Sequence, residues 1–334
     1  MKEQYLDALN IEIDNLYKKE LLKTIYFGGG TPSNLSAKEF STILEKFNFD
    51  QNSEITVELN PETINLKYLQ DLKAIGINRL SFGCQTFDNK ILKDIGRRHL
   101  SEDVINSVNY AKQAGFKNIS LDFIYGLPTQ TTENFVKDLN TAISLDIEHI
   151  SLYGLKIENG CFFYKNPPAN LPNDDIQAEM YLKAIEILGK NGFEHYEISN
   201  FAKKGFHSRH NLNYWENNNY YGFGVAAHGY ENGTRYFNTS NLQEYIENPI
   251  PYKDSHKLTI QEQLEEEIFL GFRKIAGINI EQINKKFNID FSTKYKKIID
   301  KYTNYNYLEP TDTGYKLTDS GILISNYILS DFLQ

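Results

Sequence analysis

The chain has 334 residues and a mass of 38.7 kDa, which suits one large domain with a small satellite and excludes a single minimal domain. Apolar residues make up 40% and charged residues 24%, which supports a sizeable core and excludes disorder over most of the length. A net charge of −9 argues against broad electrostatic binding to nucleic acid, and a mean hydropathy of −0.50 with no long apolar run argues against a membrane span.

The start, Tyr5–Leu16, reads as an acidic amphipathic helix rather than a signal peptide. A strand is predicted at Leu21–Phe27, followed by Gly28-Gly29-Gly30-Thr31-Pro32 and a helix over Ala37–Phe47. Further strands are predicted at Glu54–Leu59, Arg79–Gly83, Asn118–Gly126, His149–Leu155 and His195–Ser199. Helices fall between them, over Leu66–Ile75, Asn89–Ile95 and Ser101–Ala114, then through Phe135, Leu139 and Ala142, and through Ile176, Met180, Ala184 and Ile187. This alternation implies parallel strands with right-handed crossovers. After about Ser199 the rhythm breaks: 207–233 is rich in Gly, Asn and aromatics and reads as an irregular cap. From Thr259 the order helix, helix, helix, hairpin, helix suggests a winged-helix-like α+β domain. The expected domains are therefore 1–200, 201–257 and 258–334.

Side chains alternate across a strand, so parity sorts them into two faces. Ile55, Val57 and Leu59 oppose Thr56 and Glu58. Leu80 and Phe82 oppose Ser81, Gly83 and Gln85. Leu121 and Phe123 oppose Ser120 and Asp122, and Ile150 and Leu152 oppose Ser151 and Tyr153. Each strand has one apolar and one polar or small face. A doubly wound sheet buried on both sides does not match, nor does a closed barrel filled with aliphatics. A parallel sheet curled into a partial barrel matches, with helices outside and a polar inner wall. Unpaired polar groups on such a wall cost roughly 1–3 kcal/mol each, so a polar ligand or water is expected there. Glu58, Gln85, Asp122 and the glycine run gather at the carboxyl ends of their strands, where parallel β/α folds bind ligands. Taken singly, Glu58 and Asp122 read equally well as structural hydrogen-bonders.

The triple glycine permits positive φ and close backbone approach to a ligand, although alone it is also an ordinary tight turn. It lacks the P-loop ending and the dinucleotide spacing. A second constellation is His210-Asn211-Leu212-Asn213-Tyr214-Trp215. Imidazole ligates heme iron, and flat aromatics cover a porphyrin. From the residues alone, a structural histidine beside an aromatic cluster is the plainer reading.

Several blocks occur in order: Tyr26–Pro32, Val57–Pro61, Arg79–Phe87, Gly96–His99, Leu121–Pro128, Tyr196–Ala202 and Arg209–Trp215. Together they resemble the radical SAM proteins of the oxygen-independent coproporphyrinogen oxidase family, and among them its heme-chaperone branch. The resemblance spans essentially the whole chain. It implies a partial (β/α)6 barrel with a small C-terminal domain. It implies S-adenosylmethionine as ligand, with Gly29, Gly30 and Thr31 at its aminoacyl end. Glu58 and Asp122 would accept hydrogen bonds from its ammonium or ribose hydroxyls, and Gln85 and Arg97 would complete the shell. It implies heme at His210, Tyr214 and Trp215, with His210 on the iron and His207 and His228 as competing ligands. The remaining histidines, His99, His149, His195 and His256, are read as structural or surface groups.

The family also holds a [4Fe-4S] cluster in a Cys-x3-Cys-x2-Cys loop, placed with its strand just upstream of the helix at Tyr5–Leu16. This chain contains only Cys84 and Cys161, so no such cluster is expected on it. The expectation is a shortened or degenerate member, with a barrel open on the side of the missing strand. The implied function is a cytoplasmic heme chaperone serving a recipient hemoprotein. The alternatives are radical decarboxylation of coproporphyrinogen III and a non-catalytic remnant. No nucleic acid partner is expected, while a homodimer and weak membrane association through the recipient stay open. The run Lys294–Lys297 is read as a solvated face.

Overall fold

The computed structural model describes residues 1–250 and 254–333. The chain forms two compact units, one of residues 24–40 and 53–208, the other of residues 1–23, 41–52 and 209–334.

The first unit is built on seven strands: β1 (Thr24–Phe27), β2 (Glu54–Leu59), β3 (Arg79–Gln85), β4 (Ile119–Tyr125), β5 (His149–Gly154), β6 (Phe193–Glu197) and β7 (Asn200–Lys203). Their order is β1-β2-β3-β4-β5-β7-β6, and β1 to β5 run parallel. The apolar faces are all buried, from Ile55, Val57 and Leu59 through Leu80, Phe82, Leu121 and Phe123 to Ile150 and Leu152. The helices Leu66–Ala74, Ser101–Gln113, Thr132–Ser144 and Asp174–Lys190 bury Leu69, Val104, Val108, Phe135, Leu139 and Met180. Three of these helices start at side-chain caps: Asn65, Thr131 and Asn173 each accept a backbone N–H one turn on. The sheet is curled: His149 on β5 and Tyr196 on β6 meet at 2.8 Å across the intervening β7, and the charge of Arg79 on β3 reaches Tyr26 on β1 and Tyr196 on β6.

Two details differ from the sequence reading. The strand predicted at His195–Ser199 ends at Glu197 and turns straight back, so β7 lies antiparallel between β5 and β6. The turn contains neither glycine nor proline. The buried Glu197 carboxylate holds it instead, accepting from Ser199 N–H at 2.9 Å and from the Asn200 amide. The helix at Asp174–Lys190 buries Met180, Tyr181, Ala184 and Leu188, while Ile176 is exposed, so its buried face is rotated from the predicted stripe.

The second unit contains the helix Lys2–Leu16, the helix Arg209–Trp215 and a three-stranded antiparallel sheet of β8 (His228–Glu231), β9 (Thr234–Phe237) and β10 (Asp254–Lys257). The stretch read as irregular thus carries a helix and a strand. Next come the helix Ile260–Gly271, β11 (Ile278–Asn279) and the helices Ile280–Phe287 and Lys296–Asn304. The winged-helix-like order is completed by a sheet in which β13 (Gly314–Leu317) lies between β11 and β12 (Leu308–Pro310). Its core is aromatic, with Phe291, Tyr295 and Phe332 fully buried and ring centroids 4.8 Å and 5.3 Å apart. Lys294, Lys296 and Lys297 are exposed, as expected of a solvated face, while Tyr295 between them points inward. No helix of the described residues is long and apolar enough to cross a membrane.

Candidate functional site

The polar faces of β1 to β5 form the inner wall of the curled sheet. Register sets Glu58 opposite Ser81, Ser81 opposite Ser120, Ser120 opposite His149, and Asp122 opposite Ser151. Ser81 Oγ lies 3.0 Å from both Asp122 carboxylate oxygens, and Ser120 Oγ lies 3.4 Å from one. Burial raises the Asp122 pKa, opposed by hydrogen bonds from Ser151, Ser81 and Ser120 and by the charge of Arg79. Glu58 accepts from Tyr26 Oη at 2.7 Å and from the Gly29 N–H at 3.2 Å. Its pKa is also raised, by burial first and by Asp122 in addition.

The glycine run meets this wall at its first residue. A Cβ on Gly28 would stand 2.6 Å from the Tyr26 ring and 2.9 Å from Glu58 Oε1, so only glycine fits beneath that pair. Gly29 has φ +92, in the left-handed region. Gly29 and Gly30 are exposed, and added Cβ atoms there would meet nothing, so their backbone is open to a ligand. Thr31 is half-buried where the next turn begins.

Gln85 sits at a bulge in β3 with φ +66, and its amide folds back against Gly83, leaving no room there for a Cβ without a shift. The segment after the bulge is fixed by Asp138, which accepts from Thr86 Oγ1 at 2.6 Å and Phe87 N–H at 2.9 Å. The structure thus brings Glu58, Asp122, Gln85 and the glycines to one wall of one unit. Arg97 is exposed in the loop after the helix Asn89–Asp94 and is not part of that hydrogen-bonded set.

Parity could have flagged several inner-wall residues that the sequence reading left aside. Arg79 shares the face of Ser81, and His149 that of Ser151. His149 is fully buried, with Nδ1 2.8 Å from Ser120 Oγ and Nε2 2.8 Å from Tyr196 Oη. Tyr196 Oη also accepts from the Ser208 N–H at 3.1 Å. One polarity satisfies every member of this chain: Tyr196 donates to a neutral His149, which donates to Ser120, which donates to Asp122. Burial holds His149 well below its ordinary pKa, in keeping with the neutral form.

In the other unit, His210, Tyr214 and Trp215 lie half-buried on the helix Arg209–Trp215. His210 Nε2 is 2.9 Å from Tyr214 Oη, and the two rings meet edge-on at 4.9 Å. Trp215 Nε1 is buried with no acceptor among the described residues. His228 is exposed and stacks on Phe237. His207 belongs to the first unit, where it stacks on Tyr196 at 4.4 Å and pairs with Glu194 at 2.8 Å.

Cys84 is buried with Sγ against the Thr86 carbonyl, and Cys161 is exposed at the start of a short helix. Among the described residues no three His, Cys, Asp or Glu side chains gather to hold a metal ion.

A glycine turn opening onto a hydrophilic inner wall, on a curled parallel sheet, is the arrangement that the resemblance to radical SAM proteins implies. The sequence profile of the Radical SAM superfamily matches residues 2–142, and that of the HemN C-terminal domain matches residues 258–324. The chain is 39% identical to a heme chaperone HemW of Bacillus subtilis, over 99% of this chain and 91% of the relative. It is 33% identical to one of Haemophilus influenzae, over 96% and 85%. Coproporphyrinogen III oxidase (HemN) from Escherichia coli shares the fold with a TM-score of 0.87 at 22% identity, covering 99% of this chain and 83% of that one. The chain belongs to the heme chaperone HemW family.

Proposed function

We propose that this protein is a cytoplasmic heme chaperone that binds S-adenosylmethionine on the inner wall of its half-barrel and heme at the His210 helix, passing heme to a recipient hemoprotein. The observation that carries the reading is the His210-Tyr214-Trp215 helix, in a chain that matches curated heme chaperones along nearly its whole length. The residues present suit S-adenosylmethionine. Glu58 and Asp122 offer carboxylate acceptors to an ammonium or to ribose hydroxyls. Gly29, Gly30 and Thr31 offer backbone and hydroxyl groups to the aminoacyl end. Gln85 and the exposed Arg97 would complete the polar shell, Arg97 pairing with the ligand carboxylate. When bound, the cofactor brings a sulfonium cation and an adenosyl group to the inner wall.

Heme is cargo in this reading. Tyr214 and Trp215 supply flat surface beside the imidazole, and the orphaned Trp215 N–H offers a donor to a propionate. Ligation through His210 Nε2 requires Tyr214 to release it. The recipient defines the partner class; a homodimer and membrane association through the recipient are secondary to it. Titration with heme, followed by absorbance, tests the proposal. A stoichiometric Soret shift that His210→Ala abolishes supports it. A chain that gives no saturable shift refutes it, and turnover of coproporphyrinogen would favour the oxidase reading.

A further inference from the structure

Arg79 is the only lysine or arginine buried among the described residues, at 2% exposure. It opens β3, two residues before Ser81 on the same face, and lies opposite Thr56 in register. Arg79 Nε and Thr56 Oγ1 are both buried with no hydrogen-bond partner among the described residues. No carboxylate of those residues comes within 4.0 Å of the guanidinium nitrogens. Burying an ion without a close partner costs several kcal/mol, roughly, even after relaxation. A fold that retains such a group calls for a compensating role.

The groups around it indicate that role. Ser81, two residues on along the same face, lies opposite Glu58 and 3.0 Å from the Asp122 carboxylate, and the Arg79 charge acts on Tyr26 of β1, Glu58 of β2, Asp122 of β4, His149 of β5 and Tyr196 of β6. Glu54 and Glu197 act on Tyr196 from β2 and β6. The charges of Glu58 and Asp122 also act on Tyr153, and that of Asp122 on the buried Cys84. His207, stacked on Tyr196 and paired with Glu194, acts on His149, and with His149 neutral Arg79 is the cation that acts on both Glu58 and Asp122.

We propose that Arg79 is a positioning residue of the cofactor pocket: its charge, acting through the interior from the amino end of β3, keeps Glu58 and Asp122 ionised so that the pocket receives a cation. The inference rests on the S-adenosylmethionine reading above. A direct ion pair would have occupied the carboxylate lone pairs. A guanidinium held farther off biases ionisation and leaves the acceptors open. Burial pushes both acids toward protonation, and Arg79 opposes that push. Without it, both acids keep their protons to higher pH, and a protonated carboxyl rejects an ammonium or sulfonium.

The test is equilibrium binding of S-adenosylmethionine between about pH 6 and pH 9 for the unmutated chain, Arg79→Met and Arg79→Lys, beside carbon-NMR titration of the Glu58 and Asp122 carboxyls without ligand. Arg79→Met is expected to bind at least about tenfold more weakly at neutral pH, with the deficit shrinking as pH rises and both carboxyl midpoints moved upward. Arg79→Lys should stay within about threefold, because the charge remains. S-adenosylhomocysteine, which lacks the sulfonium charge, should lose less. If Arg79→Met does not fold, Arg79→Gln takes its place in both measurements. An equal loss at every pH with unmoved carboxyl midpoints would make Arg79 merely structural and overturn the inference, as would unaltered binding. Failure of the unmutated chain to bind S-adenosylmethionine would refute the cofactor reading instead, leaving the carboxyl midpoints to judge Arg79.

Discussion

Two buried acid clusters in this protein contrast sharply. In one unit, Glu12 of the helix Lys2–Leu16 is fully buried and accepts three hydrogen bonds: Gly224 N–H at 2.8 Å, Asn238 Nδ2 at 2.6 Å and Tyr245 Oη at 2.6 Å. Asn238 in turn donates to the Gly224 carbonyl, and Gly224, at φ +104, has Tyr5 Oη within 2.7 Å of where a Cβ would stand. That knot is closed. In the other unit, Glu58 and Asp122 share a wall with an Arg79 Nε and a Thr56 hydroxyl that have no hydrogen-bond partner among the described residues, beside an open glycine turn. Each such group costs roughly 1–3 kcal/mol. A saturated cluster serves the fold. A wall left partly unsatisfied at the strand ends is suited to a ligand.

The largest effect expected from this contrast is on stability. Glu12→Ala strips three buried donors of their acceptor and should cost about 3 kcal/mol or more, measured by denaturant unfolding. Glu12→Gln keeps acceptor capacity and should cost less. Equal small losses from both would break the contrast from the structural side.

Next is a pH effect at Asp138, the acid that fixes the segment after the Gln85 bulge. Burial first, opposed by the Thr86 and Phe87 hydrogen bonds, pushes its pKa up to about 6 from 3.8. A raised carboxylate binds its proton more tightly folded than unfolded. Its contribution is therefore complete below the unfolded pKa and is lost as pH climbs through the folded one. Unfolding free energy should fall by up to about 3 kcal/mol between about pH 4 and pH 6 from this group, and Asp138→Asn should flatten that slope. A slope that survives the substitution assigns it to other acids.

Smaller changes probe the open wall and the heme helix. Gly28→Ala drives a methyl into Tyr26 and Glu58 and should weaken S-adenosylmethionine binding by about tenfold or more while costing about 1–3 kcal/mol of stability. Tyr214→Phe removes the hydrogen bond that engages His210 Nε2. Heme affinity should then rise by about threefold to tenfold if Nε2 is the ligating atom. An unchanged or lower affinity would assign ligation to another atom.

The inner wall was legible because period-two alternation is a local signal. Thr56, Glu58, Ser81, Ser120, Asp122 and Ser151 declared their face residue by residue. The saturated knot was not legible. Glu12, Gly224, Asn238 and Tyr245 come together across more than two hundred residues, and an acid on an amphipathic helix reads as solvent-facing until its partners are known. Arg79 was passed over for a similar reason: an arginine at a strand start reads as a surface group, although its parity with Ser81 pointed inward. The β6–β7 reversal escaped notice because a buried glutamate, rather than glycine or proline, holds the turn. The rotated face of the helix Asp174–Lys190 shows tertiary packing choosing Tyr181 and Leu188 over the more regular stripe of Ile176 and Ile187.

The most direct test of the open wall is calorimetric titration of the chain with S-adenosylmethionine, repeated on Asp122→Ala with thermal unfolding recorded alongside. Saturable binding at one site per chain, abolished in the variant while its unfolding stays cooperative, is the predicted result. Binding of equal strength to both proteins, or to neither, would contradict it.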